Sequence, residues 1–256
     1  MTEAWTAKFG VRAPLFGTLL SLPSPEIAEI LAASGFDWLF VDMEHGGLDV
    51  AAVQDVLQAV AGRTPCLVRV PNHDPNVIAR VLDAGAEGLI FPHVNTASEA
   101  RACVGAALFP PQGERSVGIA RAQGYGRRIA ESLAGANRGT VRVAQAEHIL
   151  AVRNIAAIAA VPGLDAVFIG PYDLSASLGK PGRTAEPDVR EAIRTIREAV
   201  RAAGIPAGIF VSSAEAGRTA VAEGFSFVAA ATDTLLLDQA ARDLVRSLKN
   251  DVLPRG

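Results

Sequence analysis

The chain has 256 residues, half of them apolar, with 24 basic and 27 acidic side chains and a net charge of −3. That length and apolarity exclude a disordered segment and a disulfide-stapled mini-protein, and the lack of a basic excess argues against nucleic acid as a partner. The two cysteines, Cys66 and Cys103, are too few for a disulfide framework and wrongly spaced for zinc. No apolar stretch reaches the roughly 18 residues of a membrane span, and the opening MTEAWTAKFG lacks the apolar run of a signal peptide. A cytoplasmic location is expected.

Eight short apolar runs are expected as strands: residues 14–20, 36–42, 65–70, 88–92, 141–146, 166–170, 207–211 and 225–230. They read as continuous apolar stretches, the pattern of strands buried on both faces. Helical segments with readable ends lie between them. Asp74-Pro75 offers an N-cap and a proline at the first helical position, and Gly85 closes that helix. Thr96 with Glu99, and Ser212 with Glu215, have capping-box spacing. Pro187 opens a long helix through Ala203, closed by Gly204. The longest gap separates the fourth and fifth strands; it holds residues 109–118 and Gly124-Tyr125-Gly126 and reads as a long functional loop. Eight alternations in this length predict a single-domain α/β chain, a (β/α)8 TIM barrel. An open doubly wound sheet is the weaker alternative, because no G-x-G-x-x-G follows the first strand.

The chemistry of such a barrel sits at the C-terminal ends of its strands. There the chain places Asp42, Glu44 and His45 after the second strand, Arg69 in the third, Gln145 and Glu147 at the fifth, and Tyr172 and Asp173 after the sixth. Glu147 and Asp173 each read as a local cap or as one half of a divalent metal site, two hard oxygen donors that suit Mg²⁺ or Mn²⁺. His45, among rim acids, is the natural general base. His73, His93 and His148 present weaker cases, although His93 ends the fourth strand and can also line the pocket. Arg69 lies inside the apolar run LVRV, so it pairs with a rim acid such as Glu44 or stabilises a developing oxyanion. The three lysines, Lys8, Lys180 and Lys249, all fall outside the predicted strands, which argues against a Schiff base. Neither PLP nor NAD is expected, and the loops after strands seven and eight lack the glycines of a phosphate cradle.

Taken in order, the segments Gly35-Phe36-Asp37-Trp38, Asp42-Met43-Glu44-His45, Val68-Arg69-Val70, Leu82-Asp83-Ala84-Gly85-Ala86, Gln145-Ala146-Glu147 and the run from Phe168 to Ser175 resemble the HpcH/HpaI aldolases over nearly the whole chain. The resemblance implies a metal-dependent, class II aldolase barrel acting on pyruvate or hydroxypyruvate and an aldehyde. It implies Mg²⁺, Mn²⁺ or Co²⁺ on Glu147 and Asp173, and a keto acid received by Gln145 and the backbone at Tyr172 and Asp173. It also implies His45 as base, Arg69 as oxyanion stabiliser, and Asp83 contributed by a neighbouring subunit. A homohexamer, a trimer of dimers with exchanged C-terminal helices, is the implied assembly. Two stretches depart from the family pattern: the first strand, Phe16-Gly17-Thr18-Leu19-Leu20, lacks a tryptophan, and Phe210 replaces an aliphatic residue near the end of the seventh strand. Leu19 and Phe210 are therefore expected to shape substrate choice. A C–C lyase acting on a CoA ester and a non-catalytic barrel that binds small acids are the alternatives.

Overall fold

The computed structural model describes residues 14–252. Its strands are β1 (Leu15–Leu20), β2 (Trp38–Asp42), β3 (Cys66–Arg69), β4 (Gly88–Phe91), β5 (Val141–Ala146), β6 (Ala166–Ile169), β7 (Ala207–Val211) and β8 (Phe227–Thr232). All pair in parallel with their sequence neighbours, and β8 pairs with β1, closing the barrel. The expected (β/α)8 architecture is the observed one. The first ten residues and Lys8 lie outside the described residues.

The helices are α1 (Pro25–Ala33), α2 (Val50–Val60), α3 (Pro75–Ala84), α4 (Ala97–Ala107), α5 (Ile129–Gly139), α6 (Ile149–Ala159), α7 (Pro171–Ser177), α8 (Pro187–Ala202), α9 (Ala214–Ala222) and α10 (Asp233–Val252). Asp74 caps α3 by accepting from the Asn76 N–H, and Gly85 ends it at φ 102. Thr96 and Glu99 form the capping box of α4. The expected box at Ser212 is displaced by one residue: Ser213 is the N-cap of α9, and its hydroxyl accepts from Ala216 N. The segment between β4 and β5 keeps the long irregular stretch its sequence suggests: residues 108–128 hold one 3-10 turn, Arg121–Gln123, and no strand or α-helix. It then runs into α5, although Gly135 and Asn137 weaken helix propensity there. Asn137 fastens it by accepting from Phe109 N (2.8 Å) and donating to Phe109 O (3.0 Å).

The barrel interior is filled by Trp38, Phe40, Phe168 and Phe227, with the indole stacked on Phe227 at 4.0 Å between centroids. Gly17 on β1 makes room for Trp38, because a Cβ there would collide with the indole. Phe40 and Phe168 close the interior from below and form the floor of the cavity described next. At the seam, Asp233 accepts from Ser21 N (2.9 Å) and Leu22 N (2.8 Å), tying the end of β8 to the end of β1.

Among the described residues, no helix is long and apolar enough to cross a membrane. Helix α10 leaves Leu235, Leu236, Leu237, Leu244, Val245 and Leu248 exposed. Both cysteines are buried; burial raises the Cys66 thiol well above its ordinary value and pushes Cys103 up to about 12. Because the thiolate is the reactive form, Ellman's reagent at pH 8 should titrate no thiol in the native protein and two in guanidinium. Stoichiometric labelling of the native protein would contradict this burial.

Candidate active site

The polar side chains of the strand ends are buried, three of them charged: Asp42 is 2% exposed, Arg69 7% and Glu147 2%, with the neutral amide Gln145 at 1%. Register explains their meeting, since Asp42 lies directly beside Arg69 across the β2–β3 pair. The guanidinium donates through Nε to Asp42 Oδ1 (2.8 Å) and through NH2 to Asp42 Oδ2 (2.7 Å), while NH1 lies 3.0 Å from Glu44 Oε2. Burial works against the charged guanidinium, but hydrogen-bonded Asp42, with Glu44 and Glu147 beyond it, raises its pKa above the ordinary arginine value. Asp42 Oδ1 also accepts from the backbone N–H groups of Glu44 (3.0 Å) and His45 (3.4 Å). One carboxylate thus fixes both the arginine and the turn that carries the histidine.

Across the mouth, Gln145 donates through Nε2 to Glu147 Oε2, and Glu147 Oε1 accepts from the His93 backbone N–H at 2.7 Å. Gln145 Oε1 is buried without a hydrogen-bond partner. Gly170 permits this approach: a Cβ there would lie 2.8 Å from Glu147 Oε2. Burial raises the Glu147 carboxyl above the ordinary glutamate range, against the hydrogen bonds from Gln145 and His93. The His93 ring stands between two carboxylates, with Nε2 2.9 Å from Glu44 Oε1 and Nδ1 3.0 Å from Glu147 Oε1. Glu44, His93 and Glu147 can together offer ligand atoms within 4.8 Å of one another.

A cavity of about 180 Å³ opens here, and it brings together most of the residues singled out by sequence. His45, Arg69, Gln145, Tyr172, Asp173, Leu19 and Phe210 all line it. Asp173 sits in the first turn of α7, whose N-cap is Gly170, so it does not cap that helix. His73 and His148 are occupied elsewhere: His73 Nε2 meets Pro92 O at 2.6 Å, and His148 caps α6. Asp83 lies at the end of α3, which leads into the bottom of β4, away from the mouth. It accepts from buried Arg115 (2.6 Å) and from Gln123 (3.4 Å) of the β4–β5 segment. Lys180 is held by Asp188 (2.8 Å) in the region after α7, and Lys249 is on α10.

A second, larger hollow of about 750 Å³ shares Tyr172 and Phe210 with this mouth and extends along α8. Among its charged groups Arg194 pairs with Glu191 and Arg197 with Glu223, and Arg190 lines it as well. Sequence underrated two residues of the main site. Asp42 is visible only as one rim acid among several, and His93 only as a histidine at a strand end.

Comparison with known proteins gives a consistent picture. A family model described as HpcH/HpaI aldolase/citrate lyase matches residues 15–240. The chain is 44% identical over 223 residues to a 4-hydroxy-2-oxovalerate aldolase of Rhodococcus jostii, covering 86% of each chain. It is 40% identical over 248 residues to a hydroxypyruvate/pyruvate aldolase of Paraburkholderia phytofirmans, covering 93% of this chain and 94% of the relative. A crystal structure of a family protein from Burkholderia cenocepacia superposes with a TM-score of 0.94 at 35% identity, covering 97% of this chain and 100% of the other.

Proposed function

Because the chain belongs to the HpcH/HpaI aldolase/citrate lyase family, we propose that it is a metal-dependent aldolase, a carbon–carbon lyase that cleaves and forms 4-hydroxy-2-oxo acids. One partner is pyruvate or hydroxypyruvate and the other is an aldehyde. The names of the relatives support this over a CoA-ester lyase or a non-catalytic barrel. The observation that carries it is the shared cavity, in which an imidazole, a guanidinium, an amide and a carboxylate meet beside buried Glu147.

The residues present fit a divalent cation. Asp42 and Glu147 are buried and Glu44 is partly so, and Arg69 pairs with Asp42 and Glu44; a divalent ion beside Glu147 would offset the negative charge gathered there. Glu147 and Asp173 would hold Mg²⁺, Mn²⁺ or Co²⁺. When bound, the ion polarises the keto and carboxylate oxygens of the donor and lowers the cost of proton removal beside the keto group. Gln145 and the backbone N–H groups of Tyr172 and Asp173 orient the acid; the unpartnered Gln145 Oε1 accepts only from a donor such as the hydroxyl of hydroxypyruvate. His45 takes the donor proton in addition and the C4 hydroxyl proton in cleavage. Arg69 stabilises charge developing on the keto oxygen. Pyruvate release from a panel of hydroxy-keto acids and acyl-CoA esters, with and without EDTA, tests the reading. EDTA-resistant turnover, or turnover of CoA esters alone, would overturn it.

Leu19 and Phe210 border the cavity, and the Phe210 ring leans on Tyr172 at 6.2 Å between centroids. Trimming Phe210 to Ala should shift the pyruvate-to-hydroxypyruvate ratio or the preferred aldehyde by about tenfold or more, since one methylene of pocket fit is worth roughly 1–3 kcal/mol. Unchanged ratios in both Phe210→Ala and Leu19→Ala would place specificity elsewhere.

The exposed leucines of α10 support assembly through the C-terminal helix, and a hexamer is the expected state. In that assembly Asp83 meets His45 of an adjoining chain and increases its basicity. Mixed oligomers of Asp83→Asn and His45→Ala subunits should therefore regain activity that neither parent has. Mixed oligomers that stay inactive would refute a shared site.

A further inference from the structure

Asp83 is held by one side only. Among the described residues its Oδ1 alone is engaged, accepting from Arg115 NH2 at 2.6 Å and from Gln123 Nε2 at 3.4 Å. Its Oδ2 lies beside Gly118, where a Cβ would come within 3.2 Å of it. Asp42, by contrast, bonds Arg69 through both oxygens. The two donors to Asp83 are themselves fixed. The Arg115 side chain is 4% exposed, its guanidinium lies 4.4 Å over the Phe109 ring, and its Nε has no hydrogen-bond partner. Burial works against the charge on Arg115, and Asp83 is the carboxylate that opposes this. Gln123 is oriented because its Oε1 accepts from Ala120 N at 3.0 Å across the 3-10 turn. The Asp83 side chain is 22% exposed, and Val117 and Ile119, on either side of Gly118, are 55% and 71% exposed. The free oxygen therefore faces outward among apolar side chains, a surface that suits a second copy of this chain better than water.

We propose that Arg115 and Gln123 are positioning residues of the active site, holding Asp83 by Oδ1 so that Oδ2 is aimed at His45 of the adjoining chain. The inference rests on the shared-site reading above and adds the device that aims the acid. Arg115 touches neither substrate nor the reacting atoms; it acts through Asp83. Aim matters because a misplacement of about 1 Å near the reacting groups can lower the rate by about 10²-fold. The β4–β5 segment is thus part of the catalytic apparatus, although it lies away from the mouth of its own barrel.

Subunit mixing on the full-length protein tests this. Arg115→Met should lower kcat by about 10²-fold with KM changed by less than about threefold, and Arg115→Lys, which keeps the charge but not the planar fork, should lose only about tenfold. In mixed oligomers Arg115→Met should recover activity with His45→Ala, because some sites then join the variant's His45 to a well-held Asp83. It should not recover with Asp83→Asn, because no site then has a well-placed acid. Gln123→Glu keeps the acceptor for Ala120 N, loses the donor to Asp83 and should sort with Asp83→Asn in the same way, so the test does not depend on Arg115→Met folding. Recovery with Asp83→Asn but not with His45→Ala would put the effect in the variant's own barrel and overturn the proposal. Recovery with both or with neither, while His45→Ala and Asp83→Asn recover together, would make Arg115 and Gln123 purely structural and leave the shared site standing. If that control pair stays inactive, the shared site falls and the positioning role with it.

Discussion

Glu147→Gln should lower kcat/KM by about 10³-fold or more and abolish the response to added Mg²⁺, Mn²⁺ or Co²⁺. Glu147 is one of the expected ligands of the ion, and a metal acting as Lewis acid contributes several kcal/mol of charge stabilisation; about 4 kcal/mol corresponds to 10³-fold in rate. The substitution keeps the shape that accepts the His93 N–H at 2.7 Å, so a circular-dichroism spectrum like the wild type should accompany the loss. Dialysis of the wild type against chelator should reproduce the defect reversibly, whereas the variant should stay inactive at any metal concentration tested. Borohydride trapping of a substrate adduct on Lys180 would replace this mechanism with a Schiff base. The position of Lys180, tied to Asp188 and Glu186 away from the strand ends, makes that outcome the opposite of the one expected.

The second large effect is expected at Arg69. Arg69→Lys should lose about 10²-fold in kcat with KM nearly unchanged, the cost of about 3 kcal/mol typical for one oxyanion donor. A lysine supplies a point charge but cannot fill both Asp42 oxygens and still face Glu44 and the cavity, as the planar fork does. Asp42→Asn should then show the structural side of the same device. It removes one partner of a buried, doubly bonded pair, a change that costs about 3–5 kcal/mol, and loosens the Glu44 and His45 turn. Both Tm and kcat should fall for Asp42→Asn, whereas Tm should move less for Arg69→Lys. A near-normal kcat with raised KM in Arg69→Lys would assign the guanidinium to substrate binding.

Much of the molecule follows from short-range chemistry. The eight apolar runs became the eight strands within a few residues. The caps at Asp74 and Thr96 formed as their spacing predicts, because cap and backbone partners lie within one turn. Chain direction alone also fixed which end of the barrel would hold His45, Arg69, Gln145, Tyr172 and Asp173, since every strand runs the same way. Local rules faltered where distant partners decided the outcome. Helix α5 is fastened through Asn137 to Phe109, 28 residues away, whereas the shift of the α9 cap from Ser212 to Ser213 is a local slip of one residue. The site repeats the pattern. Sequence offers Glu44 as the acid for Arg69, but strand register brings Asp42 closer, 27 residues away along the chain. His93 looks ordinary in sequence because its two carboxylates arrive from β2 and β5; the contact with Glu147 spans 54 positions. Residue types and their order carry the strands, caps and rim, while the pairings among buried charges depend on distances that exist only once the barrel has closed.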